Sequence, residues 1–189
     1  MPRLWNATIE AHRDAVREAV LDTTAALVAA RGLRAVTMSE IAKRSGIGRA
    51  TLYKYFPDVD AILLAWHERQ VAAHLQQLSE VADGPGDAGT RLRAVLEAFA
   101  LITHERHDPD LSALLHAGAH IWRAHEHLHR FVAELIAEGA AAGQLRDDVG
   151  PDELATYCLH ALTAAGALPS KAAVRRLVGV IVGGMETRA

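Results

Sequence analysis

The chain has 189 residues, half of them apolar and 23% charged, with a formal net charge of −3. That length and balance suit one domain or two small ones around a real core and exclude a disordered chain. One cysteine, Cys158, excludes an intramolecular disulfide framework and fits a reducing compartment.

The opening MPRLWNATIEAHRD has no apolar core of signal-peptide length, and no stretch nears about 20 uninterrupted apolar residues, so a cytoplasmic protein without membrane contact is expected. Val16, Ala19, Val20, Thr23, Leu27 and Ala30 fall three and four apart, which predicts an amphipathic helix over 11–30 that stops at Gly32. TMSE, Thr37 to Glu40, has the form of a capping box: Thr37 takes the amide of Glu40, and Glu40 reaches back. It opens a short helix with Ile41 and Ala42 inward, closed by Gly46. A second short helix over 48–56 is stopped by Pro57, and Asp58 caps a longer one carrying Ile62, Leu63, Trp66, Leu75 and Leu78.

DGPGDAG, residues 83–89, is the clearest break. It sets 1–58, with the start of a connecting helix over 58–82, apart from 83–189. Leu92, Val95, Leu96, Phe99 and Ile102 then define a helix, 111–122 reads as another, and Leu128, Phe131, Val132, Leu135 and Ile136 as a third. Pro151 suits the first turn of a helix carrying Leu154, Tyr157, Cys158, Ala161 and Leu162; Ser170 caps the last, with Val174, Leu177, Val178, Ile181, Val182 and Met185. No strand signal or repeat intervenes. The expected class is all-α, with about nine helices.

Charge is unevenly spread. Residues 31–56 hold Arg31, Arg34, Lys43, Arg44, Arg49 and Lys54 against Glu40 alone, a local +5 that leaves −8 for the rest of the chain. At 100° per residue, Arg49, Ala50, Tyr53 and Lys54 share one side of the second short helix. Leu52 and Phe56 lie opposite, with Thr51 and Tyr55 flanking. Two short helices joined by SGIG make a helix-turn-helix, whose second helix can enter a major groove.

The segment VTMSEIAKRSGIGRATLYKYFPDVDAIL resembles the DNA-binding part of the TetR family of bacterial transcriptional repressors. The match runs from about Arg13 to Leu64, and its core, T-LY-YF behind IA-R-G, is specific. The resemblance implies a homodimer with an N-terminal helix-turn-helix over 1–58 and a helical ligand-binding and dimerisation domain over 83–189. It implies a repressor released from a palindromic double-stranded DNA operator by a small-molecule effector. It places Arg49, Ala50 and Lys54 at base edges and Thr51, Tyr53 and Tyr55 at phosphate or groove wall, and Thr37 opens the first motif helix, whose N-terminus can meet a phosphate; Arg44 is a further DNA-binding candidate, with a solvated helix end as its other reading. Two positions depart from the family pattern: Gly48 stands where serine is common, and Val59 where lysine is common.

Eight of the eleven histidines lie from His104 to His160. His116 and His120 are one helical turn apart, and Glu126 with His129 forms a Glu-x-x-His pair. A di-iron centre needs that pair twice and one copy is present, so the histidines read first as a surface or pocket-rim cluster; a metal-binding or oxidase-like bundle on 104–129 is the rival reading, with a stand-alone interaction module a third. No nucleophile–base set and no glycine-rich phosphate loop is present, so neither an enzyme nor a cofactor is expected, and no metal ligand set is assigned. Phe99, Leu115, His116, Trp122, Phe131 and Tyr157 are candidate lining residues for the effector. Gly179 and Gly183, with Leu177, Val178, Ile181 and Val182, are candidates for the dimer seam.

Overall fold

A computed structural model describes residues 3–33, 36–105 and 119–187. Among them lie eight α-helices, one 3-10 helix and no strand; a single antiparallel bridge pairs Leu145 with Glu186. The all-α expectation holds. Arg34, Leu115 and His116, and most of the helix expected over 111–122, lie outside the described residues.

The chain divides into two compact units, one reaching Gln70 and one running from Val71. In the first, α1 (Arg3–Arg31) begins earlier than its apolar period, which is visible only from residue 11 onward. Its buried face holds Val20, Leu21, Thr24 and Leu27, so Leu21 and Thr24 replace the expected Ala19 and Thr23. A threonine is tolerated there because Thr24 Oγ1 donates to the Val20 carbonyl at 2.8 Å, leaving no polar atom unpaired. α1 ends at Gly32, whose φ of 75° favours glycine.

Helix α2 (Met38–Ser45) starts at Thr37, whose hydroxyl accepts from the Glu40 amide at 3.2 Å. Only half of the expected capping box forms: Glu40 turns Oε1 toward Arg31 at 3.3 Å and Arg44 at 3.6 Å instead of closing on Thr37. Helix α3 (Arg49–Tyr55) follows a short turn. Phe56 is extended (φ −139°, ψ 124°), as the residue before a proline must be, and that ends α3. Asp58 Oδ1 then accepts from the Ala61 amide at 2.8 Å and starts α4 (Val59–Ala82). Ile41, Leu52, Ile62, Leu63 and Trp66 join the α1 residues in one core. Fully burying side chains of this size contributes about 1.5–3 kcal/mol each.

The second unit is built around α5 (Ala88–Glu105), which packs on each later helix. Asp87 caps it, accepting from the Thr90 amide at 2.8 Å. α6 (Ala119–Ala141) carries Trp122 and Leu128 on one continuous helix, where two were expected. α7 (Pro151–Leu162) has its proline in the first turn and runs into the unforeseen 3-10 segment Thr163–Ala167. Ser170 caps α8 (Lys171–Gly183), accepting from the Ala173 amide at 3.2 Å. Leu92, Leu96, Val132, Ile136, Leu159 and Ile181 fill the centre. At the rim, Lys171 meets Glu105 at 2.6 Å and Arg175 meets Glu97 at 2.7 Å, pinning α8 to α5.

Candidate nucleic-acid interface

The two short helices are set by glycine and by the core. Gly46 caps α2 with φ 70°, a conformation costly for residues with a Cβ, and this reverses the chain within a few residues. Ser45 Oγ accepts from the Ile47 amide at 3.3 Å and braces the turn. Gly48 supplies no side-chain cap to α3, as its lack of a hydroxyl dictates. What fixes α3 is packing: Leu52 is 0% and Phe56 3% exposed in the core of the first unit.

With those two residues inward, Arg49, Ala50, Thr51, Tyr53 and Lys54 are exposed, and Tyr53 keeps 49% of its surface. Tyr55 is half-buried and packs against the core, so its ring braces the helix. Thr37 is exposed at the start of α2. Arg44, also exposed, is held by Glu40, which holds Arg31 as well. Two of the local cations are thus partly neutralised by the only carboxylate of the segment. Among the described residues, Lys43, Arg49 and Lys54 have no such partner, so the offered charge is concentrated on α3 and the end of α2. Val59 is half-buried against the core at the start of α4.

Reading the sequence missed one further cation. The Arg17 guanidinium, on α1, lies 5.2 Å from the centroid of the Phe56 ring. A contact between distant helices leaves no local period to detect. On the same helix, Glu18 and Asp22 bind Arg69 of α4 at 2.6 and 2.8 Å.

A short basic helix, anchored by two apolar residues and preceded by a glycine turn, is the arrangement that the family model for bacterial regulatory proteins of the tetR family matches over residues 20–66. Residues 20–66 match the DNA-binding segment of the TetR family. The HTH-type transcriptional regulator EthR of Mycobacterium tuberculosis is 36% identical over 69 residues, 36% of this chain and 32% of that one. The chain spans at most about half the length of the curated relatives it matches. A TetR-family regulator from Pectobacterium atrosepticum superposes with a TM-score of 0.77 at 20% identity, covering 94% of this chain and 97% of that one. The regulator FadR of Bacillus subtilis, in complex with stearoyl-CoA, does so with 0.68 at 15% identity, covering 89% and 99%. These relatives are regulators, not enzymes.

The other candidate residues that are described differ in their surroundings. Phe99 and Phe131 are half-buried against the core of the second unit, whereas Trp122 and Tyr157 are 66% and 52% exposed. Trp122 borders an open recess of about 460 Å³ with His125, Glu126, His129 and Arg130. No three histidine, cysteine or carboxylate side chains converge with metal-binding geometry among the described residues. His129 Nε2 lies 2.9 Å from Thr156 Oγ1 and 3.1 Å from the Asp152 carbonyl, so its ring is engaged with α7. Cys158 is buried with Sγ 3.2 Å from Met185 Sδ, and burial pushes its thiol up to about 12, which keeps it protonated and unreactive.

On α8, Val178, Ile181 and Val182 are 1%, 1% and 3% exposed inside their own unit, so these three expected seam residues face inward. The inward stripe is set by packing on α5 and α7. Leu177 and Gly179 are half-buried and Gly183 is exposed; a Cβ at either glycine would meet nothing within 4 Å. Val180, 71% exposed, stands between them.

Proposed function

We propose that the chain is a sequence-specific DNA-binding transcriptional regulator, a repressor released from a palindromic operator by a small molecule. The observation that carries this reading is α3, which buries Leu52 and Phe56 and presents Arg49, Thr51, Tyr53 and Lys54 outward. Such a rod suits a major groove, where arginine pairs bidentately with guanine and lysine or tyrosine reaches phosphate. Residues 1–58, with the start of α4, form the reading head in this proposal. Residues 83–189 take up the effector and a second copy of the chain. The stearoyl-CoA held by FadR, a protein of the same fold, supports a ligand role for these later helices.

Self-association is supported by the outward faces of α7 and α8. Tyr157 and Val180 are large apolar side chains left half or more exposed, and Gly179 and Gly183 leave room for close helix approach. A two-fold dimer would set its two reading helices about 34–36 Å apart, one turn of DNA. The cytoplasm is the location this function requires.

Selection of bound fragments from a random duplex pool tests the proposal. A recovered palindrome with half-sites one helical turn apart supports the regulator and its symmetry together. Absence of any salt-dependent duplex binding overturns it. Metal analysis of the same purified protein tests the histidine-based rival, for which stoichiometric iron or zinc retained against chelation is the required result.

A further inference from the structure

We infer that Arg17 of α1 is a phosphate-binding residue of the reading head, held in place by the ring of Phe56; this deepens the proposed function and rests on it. The guanidinium lies 5.2 Å from the ring centroid of a phenylalanine that is only 3% exposed, while Arg17 itself is exposed. A guanidinium attracted to a ring face spends no N–H hydrogen bond on a polar acceptor, so its donors stay available to other partners. The carboxylates that follow it on α1, Glu18 and Asp22, are engaged by Arg69, and among the described residues none forms an ion pair with Arg17. Arg31 and Arg44, by contrast, share Glu40. Arg17 is therefore held by an aromatic contact and, among the described residues, has no ion-pair partner.

Its position gives that charge a task. Phe56 is the C-cap of α3, the end where helix carbonyls carry partial negative charge and would repel a DNA backbone. Arg17 places a cation over that end, and Lys54 supplies another in the last turn of α3. Because it approaches from α1 and not from the outward side of α3, a backbone phosphate is the partner its fork fits. The ring contact restricts the side chain beforehand, so less rotamer freedom is lost on binding.

The test compares wild type, Arg17→Met and Arg17→Lys on one duplex across about 50–200 mM NaCl. Methionine keeps an apolar stem over the ring and removes the charge; lysine keeps the charge. The magnitude of the salt slope should fall by about 0.9 per bound protomer in Arg17→Met and stay at the wild-type value in Arg17→Lys, with melting unmoved. If Arg17→Met fails to fold by circular dichroism, Arg17→Gln is read in its place. A charge-removed variant with the wild-type slope overturns the inference alone and leaves Arg17 a packing residue. A wild type without salt-dependent binding removes the regulator reading, and this inference with it.

Discussion

Leu52 has no exposed surface, and Lys54, two residues on, lies open to solvent. The two make opposite predictions. Leu52→Ala deletes core volume and should lower unfolding free energy by about 2–5 kcal/mol in a urea titration. A wild-type midpoint there would mean that the inner and outer faces of α3 have been assigned backwards. Lys54→Ala and Arg49→Ala should each weaken operator binding by about 1–3 kcal/mol per lost base contact, with unchanged melting. Full affinity in both variants would eliminate the reading face. Glu40→Gln concerns the charge balance of the same segment: it releases Arg31 and Arg44, so duplex affinity at low salt should rise and its salt dependence steepen. Stability should change by no more than about 1 kcal/mol, since both ion pairs are at the surface. Weaker binding would instead mean that Glu40 aims Arg44 at the DNA. The roles of Leu52, Phe56, Thr37 and Asp58 were legible in the sequence because each follows from a local period or cap. The Glu40 pairs and the Arg17–Phe56 contact were not, because each depends on how separate segments approach one another.

Among the elements, the turn between α2 and α3 depends on one backbone conformation. Gly46 has φ 70°, and a Cβ there would touch nothing within 4 Å, so substitution costs backbone strain without a clash. Gly46→Ala should therefore destabilise the protein by about 1–2 kcal/mol, measured by equilibrium denaturation. A stability equal to wild type would show that the turn relaxes into another shape. Helices with a clear apolar stripe were read close to their observed bounds. The early start of α1 was missed because residues 3–10 divide equally between polar and apolar and the mostly polar stretch 10–14 separates them from the stripe that begins at Val16. The 3-10 segment Thr163–Ala167 was missed because TAAGA offers small residues with no period. Trp122 was assigned to a separate helix because the polar run from His125 to His127 interrupts the pattern that α6 continues through.

For the whole molecule, the surface proposed for self-association is the outer side of α7 and α8. Apolar residues lie on every side of α8 in the sequence, and no sequence pattern says which of them the chain's own core will enclose. The fold assigns Val178, Ile181 and Val182 to that core and leaves Val180 outside. Val180→Glu should thus leave the helical content by circular dichroism at the wild-type value, since the side chain lies outside the core, while placing a charge in the proposed seam. Sedimentation should then find a dimer for wild type and a monomer for the variant. A variant that stays dimeric would move the seam elsewhere.

The solitary thiol also bears on how such experiments are run. Cys158 is sealed at 0% exposure with its proton held up to about 12, so the native chain presents no reactive sulfur to maleimide dyes or to air. One cysteine introduced on an outer helix would then be the sole attachment point for a fluorophore. Separations between copies in the proposed dimer could be measured by energy transfer without first removing a background sulfhydryl.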